Sequence, residues 1–261
     1  MPDLFKFTDI DLSPVCKERS FEIQDEDALA QLVAELIMGQ SNHVGQVLDA
    51  LNDQLAATFH EKHKAVNIGY LKKSTTTQEK RDGWIFQMIS WIIVYLEHRG
   101  ETFRQYVPHQ HPAQHGVDGF AIVLKDNHLE KIIITEDKCT TNPRKLIREQ
   151  VFPEFDKYED YSEMTTISDY AITLLYQIPG NYMNLQNEVS DSNLWCYRIS
   201  ITRDEAHNGS EEKITKLYAD YDEHVKGKNV DRRTSSSTYI ENLRTWMDSF
   251  SEKIIEKIEA L

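Results

Sequence analysis

The sequence predicts an α/β domain in which a mixed β-sheet is flanked by helices, with further helices near both ends of the chain. Two apolar, β-branched runs at 120–124 and 131–138 indicate neighbouring strands, because the connection 125–130 is short and polar. The segment 84–96 is hydrophobic on nearly all sides, which predicts a helix covered by other elements. Helical periodicity toward both termini adds helices before and after these strands.

The region before the long apolar helix is expected to contain two helices and a loop. Asp25 is a suitable N-cap for a helix whose apolar residues repeat at three- and four-residue intervals. A second helix is expected from Ser41, because Gly39 can end the first one. The polar stretch 64–78 is predicted to be a loop.

The central part of the chain is predicted to be a helix followed by strands. Asp82 is a candidate N-cap for the apolar helix, and Gly100 is a candidate stop. A short strand is expected at 102–107. The runs 120–124 and 131–138 then form an antiparallel hairpin, which the short polar connection favours.

Helices and strands alternate after the hairpin. Asn142 followed by Pro143 predicts the start of a helix, and Pro153 is expected to kink or end it. The further predicted elements are a helix at 168–176, a strand at 194–202, a mobile basic loop at 226–237 and a helix at 239–258.

The composition is that of a soluble globular protein with one domain. Hydrophobic residues make up 40% and charged residues 28% of the 261 residues, and no apolar run reaches the ~18–20 residues of a membrane span. No linker is evident, so 1–261 is expected to be one domain, with a core at about 83–203 and helical additions at about 25–62 and 239–260.

Cysteine usage and the N-terminus predict a cytoplasmic protein. The three cysteines are widely spaced, which indicates reduced thiols, and the N-terminus lacks the pattern of a signal peptide. The net charge of −14 counts against a protein that binds nucleic acid unaided, because neutralising phosphates requires a basic surface. A nuclease is still compatible with this charge, since a local basic rim or a partner subunit can supply the cations.

The strand 131–138 ends in Glu136, Asp137 and Lys138, and charges are unusual at the end of a buried strand. Because side chains alternate along a strand, Glu136 and Lys138 point to the same face. Asp118 stands just before the neighbouring strand, and the start of one hairpin strand lies beside the end of the other. Two carboxylates so placed can hold Mg²⁺, with the Asp137 carbonyl as a further ligand and Lys138 orienting water or stabilising charge.

Asp118, seventeen intervening residues and then Glu136-Asp137-Lys138 on a strand resemble the PD-(D/E)XK nuclease superfamily. The order of a buried helix, a hairpin, a helix and a later strand also resembles that superfamily's core, over about 83–203. The resemblance implies a restriction-endonuclease-like core and a DNase that uses Mg²⁺, with Mn²⁺ as a possible substitute. It implies that Asp118 and Glu136 are metal ligands and that Lys138 is the catalytic lysine. Val117 stands where the motif's name has proline.

The same resemblance implies two further catalytic residues. Members of the superfamily often add an acidic residue from the preceding helix, for which Glu97 is the candidate and Glu101 the fallback. Many members also use a glutamine on the following helix, and Gln150 can fill that role.

Basic residues near the predicted site have two interpretations each. Arg144, Lys145 and Arg148 follow the Glu136-Asp137-Lys138 strand, and Arg144 and Arg148 share a helix face. They either grip DNA phosphates beside the site or form a solvated basic face. The basic segment 226–237 is either a second contact for DNA or a partner, or a disordered charged loop.

The opening helices, the chain length and the segment from His115 to Arg148 resemble, more narrowly, the small nuclease subunits of Hachiman anti-phage systems. That resemblance implies a helicase or ATPase partner, DNA as the substrate and a role in cytoplasmic bacterial defence. It also accounts for the acidic composition, because a nuclease held by a DNA-translocating subunit need not bind DNA tightly alone.

Two other functions stay open at the level of sequence. His109, His111 and His115 at short spacing suggest a zinc-dependent hydrolase, although that site would leave Glu136 and Lys138 without a role. The second alternative is a PD-(D/E)XK-like module that binds DNA or a partner without cutting. The structural alternative for the acidic and basic residues is a solvated strand end with a surface ion pair.

Overall fold

A computed structural model describes residues 4–49, 60–72, 75–178 and 183–261. Seven strands form one mixed sheet in the order β1-β2-β7-β6-β5-β4-β3. The strands are β1 Phe5–Leu12, β2 Cys16–Ile23, β3 Thr102–Gln105, β4 Gly119–Lys125, β5 His128–Lys138, β6 Trp195–Arg203 and β7 Arg233–Tyr239. The expected α/β class with a mixed sheet is therefore confirmed.

Helices cover both faces of the sheet. They are α1 Glu26–Ile37, α2 Ser41–Leu48, α3 Glu61–Leu71, α4 Gln78–Glu97, α5 Pro143–Leu146, α6 Phe152–Glu159, α7 Met164–Leu175, α8 Glu211–Leu217, α9 Tyr221–His224 and α10 Leu243–Ala260. α6 and α7 pack on the face that carries Ile132 and Ile134, whereas α4 lies on the opposite face, over Ile133. α1 and α10 pack against α4 in a second apolar cluster. No helix of the described residues is long and apolar enough to cross a membrane.

β5 lies between strands of opposite direction. It pairs with β4 in the antiparallel sense and with β6 in the parallel sense, and β6 pairs with β7 in the parallel sense. The turn between β4 and β5 is tighter than the predicted connection, because Asp126 and Asn127 adopt positive φ angles of 52° and 65°. Asp and Asn tolerate this left-handed conformation, so both strands extend toward the turn.

The N-terminal strands were not predicted from the sequence. β1 and β2 form an antiparallel hairpin, and β2 joins the sheet by parallel pairing with β7. The junction is polar: the buried Glu18 carboxylate accepts hydrogen bonds from Ser235 at 2.5 Å, Ser237 at 2.5 Å and Tyr218 at 3.0 Å. The alternation of apolar and polar residues that marks a strand is therefore weak here, because the interior side carries hydrogen-bonding groups.

Helix boundaries depart from the predictions in four places. Much of the predicted loop 64–78 is helical, since α3 ends at residue 71 and α4 begins at residue 78. Asp82 is therefore inside α4, where it is fully buried and paired with Arg81 and Arg244 instead of capping the helix. Pro153 does not end its helix, because a π-helical turn at 147–151 directly precedes it and accommodates the missing N–H. α10 begins at residue 243 rather than 239, because residues 233–239 form β7.

The predicted basic loop 226–237 is largely ordered. Arg232 and Arg233 are buried and donate to backbone carbonyls, among them those of Trp195 and Val15. Because their N–H donors are used inside the protein, these two guanidinium groups are not available to hydrogen-bond DNA phosphates. Within the predicted helical addition 25–62, residues 50–59 lie outside the described part of the chain.

Candidate active site

Three residues singled out in the sequence meet where β4 begins and β5 ends. Gly119 pairs with Thr135, so Asp118, directly before β4, lies beside Glu136. The Lys138 ammonium donates to Asp118 Oδ2 at 3.0 Å and to Glu136 Oε2 at 2.7 Å. One lysine thus bridges two carboxylates that lie eighteen residues apart in sequence.

The alternation of β5 sets the surroundings of this cluster. Glu136 and Lys138 project from the same face as Ile132 and Ile134, toward the layer that contains α6 and α7. Glu136 is only 6% exposed, and the Lys138 side chain is 17% exposed. The cluster is therefore largely dehydrated, which strengthens its electrostatic interactions compared with a surface ion pair.

Asp118 is held at both carboxylate oxygens. Oδ2 accepts hydrogen bonds from Lys138 and from the backbone N–H of Asp137, each at 3.0 Å. Oδ1 accepts one from Gln87 Nε2 at 2.6 Å. Gln87 comes from α4 and was missed as a site residue, although its interruption of an apolar helix was the signal that could have identified it.

Asp137 faces α4 on the side of β5 opposite to Glu136. Burial raises the pKa of Asp137 to about 7, and the nearby Asp118 adds to this, while a hydrogen bond from Ser90 and the charge of Arg198 oppose it. Its Oδ1 has no hydrogen-bond partner among the described residues. The sequence predicted a role for the Asp137 carbonyl, whereas the contact that the structure shows is made by its N–H, to Asp118.

The protonation states of Glu136 and Lys138 differ in a way that restricts their chemistry. The pKa of Glu136 is raised to about 8, mainly by burial. The Asp118 carboxylate also raises this pKa, and the Lys138 ammonium opposes both effects. Burial lowers the pKa of Lys138, but the Glu136 and Asp118 carboxylates outweigh burial and raise it above its ordinary value. Lys138 therefore stays a cation at neutral pH and is suited to stabilising negative charge, not to acting as a base.

The donor set at this position fits a hard divalent cation. Asp118 and Glu136 share the Lys138 ammonium, and Asp137 adds a third buried carboxyl group on the other side of β5, so carboxyl groups outnumber the lysine near the end of this strand. Mg²⁺ is commonly bound through one or two carboxylates, with waters and substrate phosphate completing its shell. Within the described residues, no group of three or more His, Cys, Asp or Glu side chains is arranged to hold a metal ion. An open site with two carboxylates agrees with that finding, and a closed protein cage does not.

The acid expected from the preceding helix lies elsewhere. Glu97 Oε2 is 3.6 Å from Arg198 Nε, on the α4 side of the sheet, and Glu101 is paired with His98 at 2.9 Å. Glu97 is the last residue of α4, ten residues beyond Gln87, which is roughly 15 Å along the helix axis. α4 thus contributes a glutamine to Asp118, and neither acid joins the cluster.

The predicted DNA-contacting residues divide into two kinds. Arg144 donates to the carbonyl of Ala219 at 2.6 Å and to Asp220 at 2.6 Å, so it ties α5 to the segment before α9. Lys145 and Arg148 are exposed, and the nearest acid to Lys145 is Glu149 at 3.9 Å. Only these two side chains keep their cationic groups available at the surface.

Gln150 is exposed on the π-helical turn 147–151, and no contact joins it to the lysine-bridged carboxylates. The three histidines of the zinc alternative differ in their surroundings. His109 is buried, and burial lowers its pKa, whereas His111 and His115 are exposed. Since the described residues contain no cluster of metal-ligating side chains that includes them, the arrangement gives the zinc alternative no support.

Comparisons of this chain with protein-family models, with curated proteins and with solved structures gave no significant match. The chemistry of the site is therefore inferred from its own geometry.

Proposed function

We propose that this protein is a Mg²⁺-dependent phosphodiester hydrolase that acts on DNA, with a restriction-endonuclease-like core of the PD-(D/E)XK type. The observation that carries the proposal is the contact of one lysine with two carboxylates, Asp118 at 3.0 Å and Glu136 at 2.7 Å, at the adjoining ends of β4 and β5. Mn²⁺ is expected to substitute for Mg²⁺, because both prefer oxygen ligands.

Asp118 and Glu136 are the residues that would hold the cation. When bound, a divalent cation polarises the phosphoryl oxygens and lowers the pKa of a coordinated water. Asp118 is suited to this role because three donors fix its carboxylate, so little orientational freedom is lost on binding. Glu136 is suited because burial excludes competing water from its carboxylate.

Lys138 is the residue proposed to act on the substrate. An ammonium group has three N–H donors, and the contacts to Asp118 and Glu136 use two of them. The third N–H is available for a phosphate oxygen or for the attacking water. Since Lys138 remains charged, it stabilises the negative charge that develops on the phosphoryl oxygens in the transition state.

A purely structural ion pair is the less favoured interpretation. Removing charges from water is costly, and a buried pair is often no more stabilising than apolar residues of similar volume. Here one lysine contacts two carboxyl groups, Glu136 is 6% exposed, and burial raises the pKa of Glu136 to about 8. Such an arrangement is commonly retained for chemistry rather than for stability.

A partner that delivers DNA forms part of the proposal. The net charge of −14 disfavours tight DNA binding by the isolated chain. Lys145 and Arg148, exposed on the segment that follows β5, offer only a small basic rim. We propose that a helicase or ATPase subunit supplies most of the DNA affinity, as the resemblance to Hachiman nuclease subunits implies, and that defence against phage is the biological role.

Cleavage of plasmid DNA tests the hydrolase proposal. We expect cutting in the presence of Mg²⁺ and the partner subunit, loss of cutting with EDTA, and a decrease of about 10²–10³-fold for Lys138→Met. Glu136→Gln should abolish cutting as well. Glu97→Gln serves as the matched control, because Glu97 is an acid of α4 that lies outside the cluster.

Cutting that survives Glu136→Gln, or that is insensitive to EDTA, would refute the site assignment. A folded wild-type protein that binds DNA or its partner but never cuts would favour the non-cleaving module instead.

A further inference from the structure

Gln87 interrupts the apolar run of α4 between two buried residues. Its neighbours in α4, Phe86 and Met88, are 1% and 0% exposed, and Gln87 itself is half-buried. A half-buried amide loses part of its hydration, and a hydrogen bond to a protein group compensates for that loss. The partner is Asp118, at 2.6 Å from Gln87 Nε2 to Oδ1.

The contact fixes the plane of the Asp118 carboxylate. Both other donors, the Lys138 ammonium and the Asp137 N–H, act on Oδ2, so Gln87 is the donor that the structure describes at Oδ1. The terminal torsion of an aspartate is soft, and two donors on one oxygen restrain it poorly. Gln87 therefore determines which lone pairs of Asp118 face the space beside Glu136.

The neutrality of Gln87 also limits the negative charge of the site. A glutamate would have nearly the same shape but would add a carboxylate within hydrogen-bond distance of Asp118. Affinity for divalent cations rises with the number of charged ligands around the ion. An amide at this position thus orients Asp118 without adding to the attraction for the cation.

We propose that Gln87 is a positioning residue for Asp118 and that it sets the divalent-cation affinity of the site. This inference rests on the proposed function, since it assumes that Asp118 and Glu136 bind a cation. Residues that orient a metal ligand typically change metal affinity by about 10–100-fold when they are replaced. Gln87→Leu should weaken cation binding by about that factor, and Gln87→Glu should strengthen it.

Calorimetric titration of the full-length chain with Mn²⁺, without DNA, tests this inference. Gln78→Leu is the matched control, because Gln78 is also a glutamine of α4 that donates to a carboxylate, Asp248 at 3.1 Å. It lies nine residues from Gln87, roughly 14 Å along the helix. We expect weaker Mn²⁺ binding for Gln87→Leu, tighter binding for Gln87→Glu, unchanged binding for Gln78→Leu and no binding for Asp118→Asn.

Thermal unfolding in EDTA and in Mn²⁺ provides a second readout. Gln87→Glu should be less stable than wild type in EDTA, because it places two carboxylates together, and should gain more from Mn²⁺. If Gln87→Leu does not fold, Gln87→Met takes its place in the titration. Unchanged Mn²⁺ affinity in the Gln87 variants, while Asp118→Asn abolishes binding, would overturn this inference and leave the proposed function standing. A wild-type protein that binds no Mn²⁺ would overturn both.

Discussion

Replacing Asp137 by asparagine should make the protein more stable at neutral and alkaline pH. Asp137 is 6% exposed, its Oδ1 lacks a partner among the described residues, and burial raises its pKa to about 7. Between about pH 4 and pH 7 the folded state therefore holds a proton that the unfolded chain has released, and above about pH 7 the folded state buries a charged carboxylate. Asparagine has the same shape and carries no charge, so it removes this cost.

The size of the effect follows from linkage between protonation and folding. The ordinary pKa of this carboxyl is 3.8 and its folded value is about 7, a difference of about three pH units. Each unit corresponds to 1.36 kcal/mol, which gives about 4 kcal/mol. Below about pH 4 both states are protonated and no cost exists; between about pH 4 and 7 the unfolding free energy of the wild-type protein falls; above about pH 7 the full cost is present.

Urea unfolding in EDTA at pH 4, 6 and 8 measures the effect. The difference in unfolding free energy, variant minus wild type, should rise by about 4 kcal/mol from pH 4 to pH 8. Comparing this difference across pH removes any constant loss of contacts with Ser90. Asp126→Asn, at an exposed turn residue, is the control and should show no such rise. A difference that stays flat with pH would refute the assignment of Asp137 as a costly buried acid.

Three further predictions concern the rest of the molecule. Glu18→Leu should lower the unfolding free energy by about 3 kcal/mol or more, because it leaves buried hydroxyl groups without an acceptor. A loss under about 1 kcal/mol in urea unfolding would contradict a stabilising role of Glu18 between β2 and β7. Asp82→Ala should cost about 3 kcal/mol, since it removes the fully buried acid that pairs with Arg81 and Arg244 and leaves the buried Arg81 guanidinium with Asp248 alone. An unchanged melting temperature would count against this role. The double variant Lys145→Glu, Arg148→Glu should weaken DNA binding of the partner complex and reduce its salt dependence, and equal binding in a mobility-shift assay would remove these residues from the DNA surface.

Local sequence patterns were sufficient for the elements nearest the candidate site. The hairpin of β4 and β5 follows from two apolar runs and a short turn, and α1 follows from its N-cap and periodicity, with Asp25 accepting from Ala28 N at 2.9 Å. The proximity of Asp118, Glu136 and Lys138 could be predicted because antiparallel pairing places the first residues of one hairpin strand opposite the last residues of the other. These predictions succeed because each depends on residues that are close in sequence.

What the sequence by itself determined is therefore local: the α/β class, the hairpin and the spacing that lets Lys138 reach two carboxylates. Only the tertiary structure decided that β2 pairs with β7 and that Glu97 pairs with Arg198. It also decided that Arg144 donates to the segment before α9 and that Gln87 donates to Asp118. The partners in these contacts lie from about thirty to more than two hundred residues apart. Helix and strand periods report which face of an element is buried, but they carry no information about which distant element covers it.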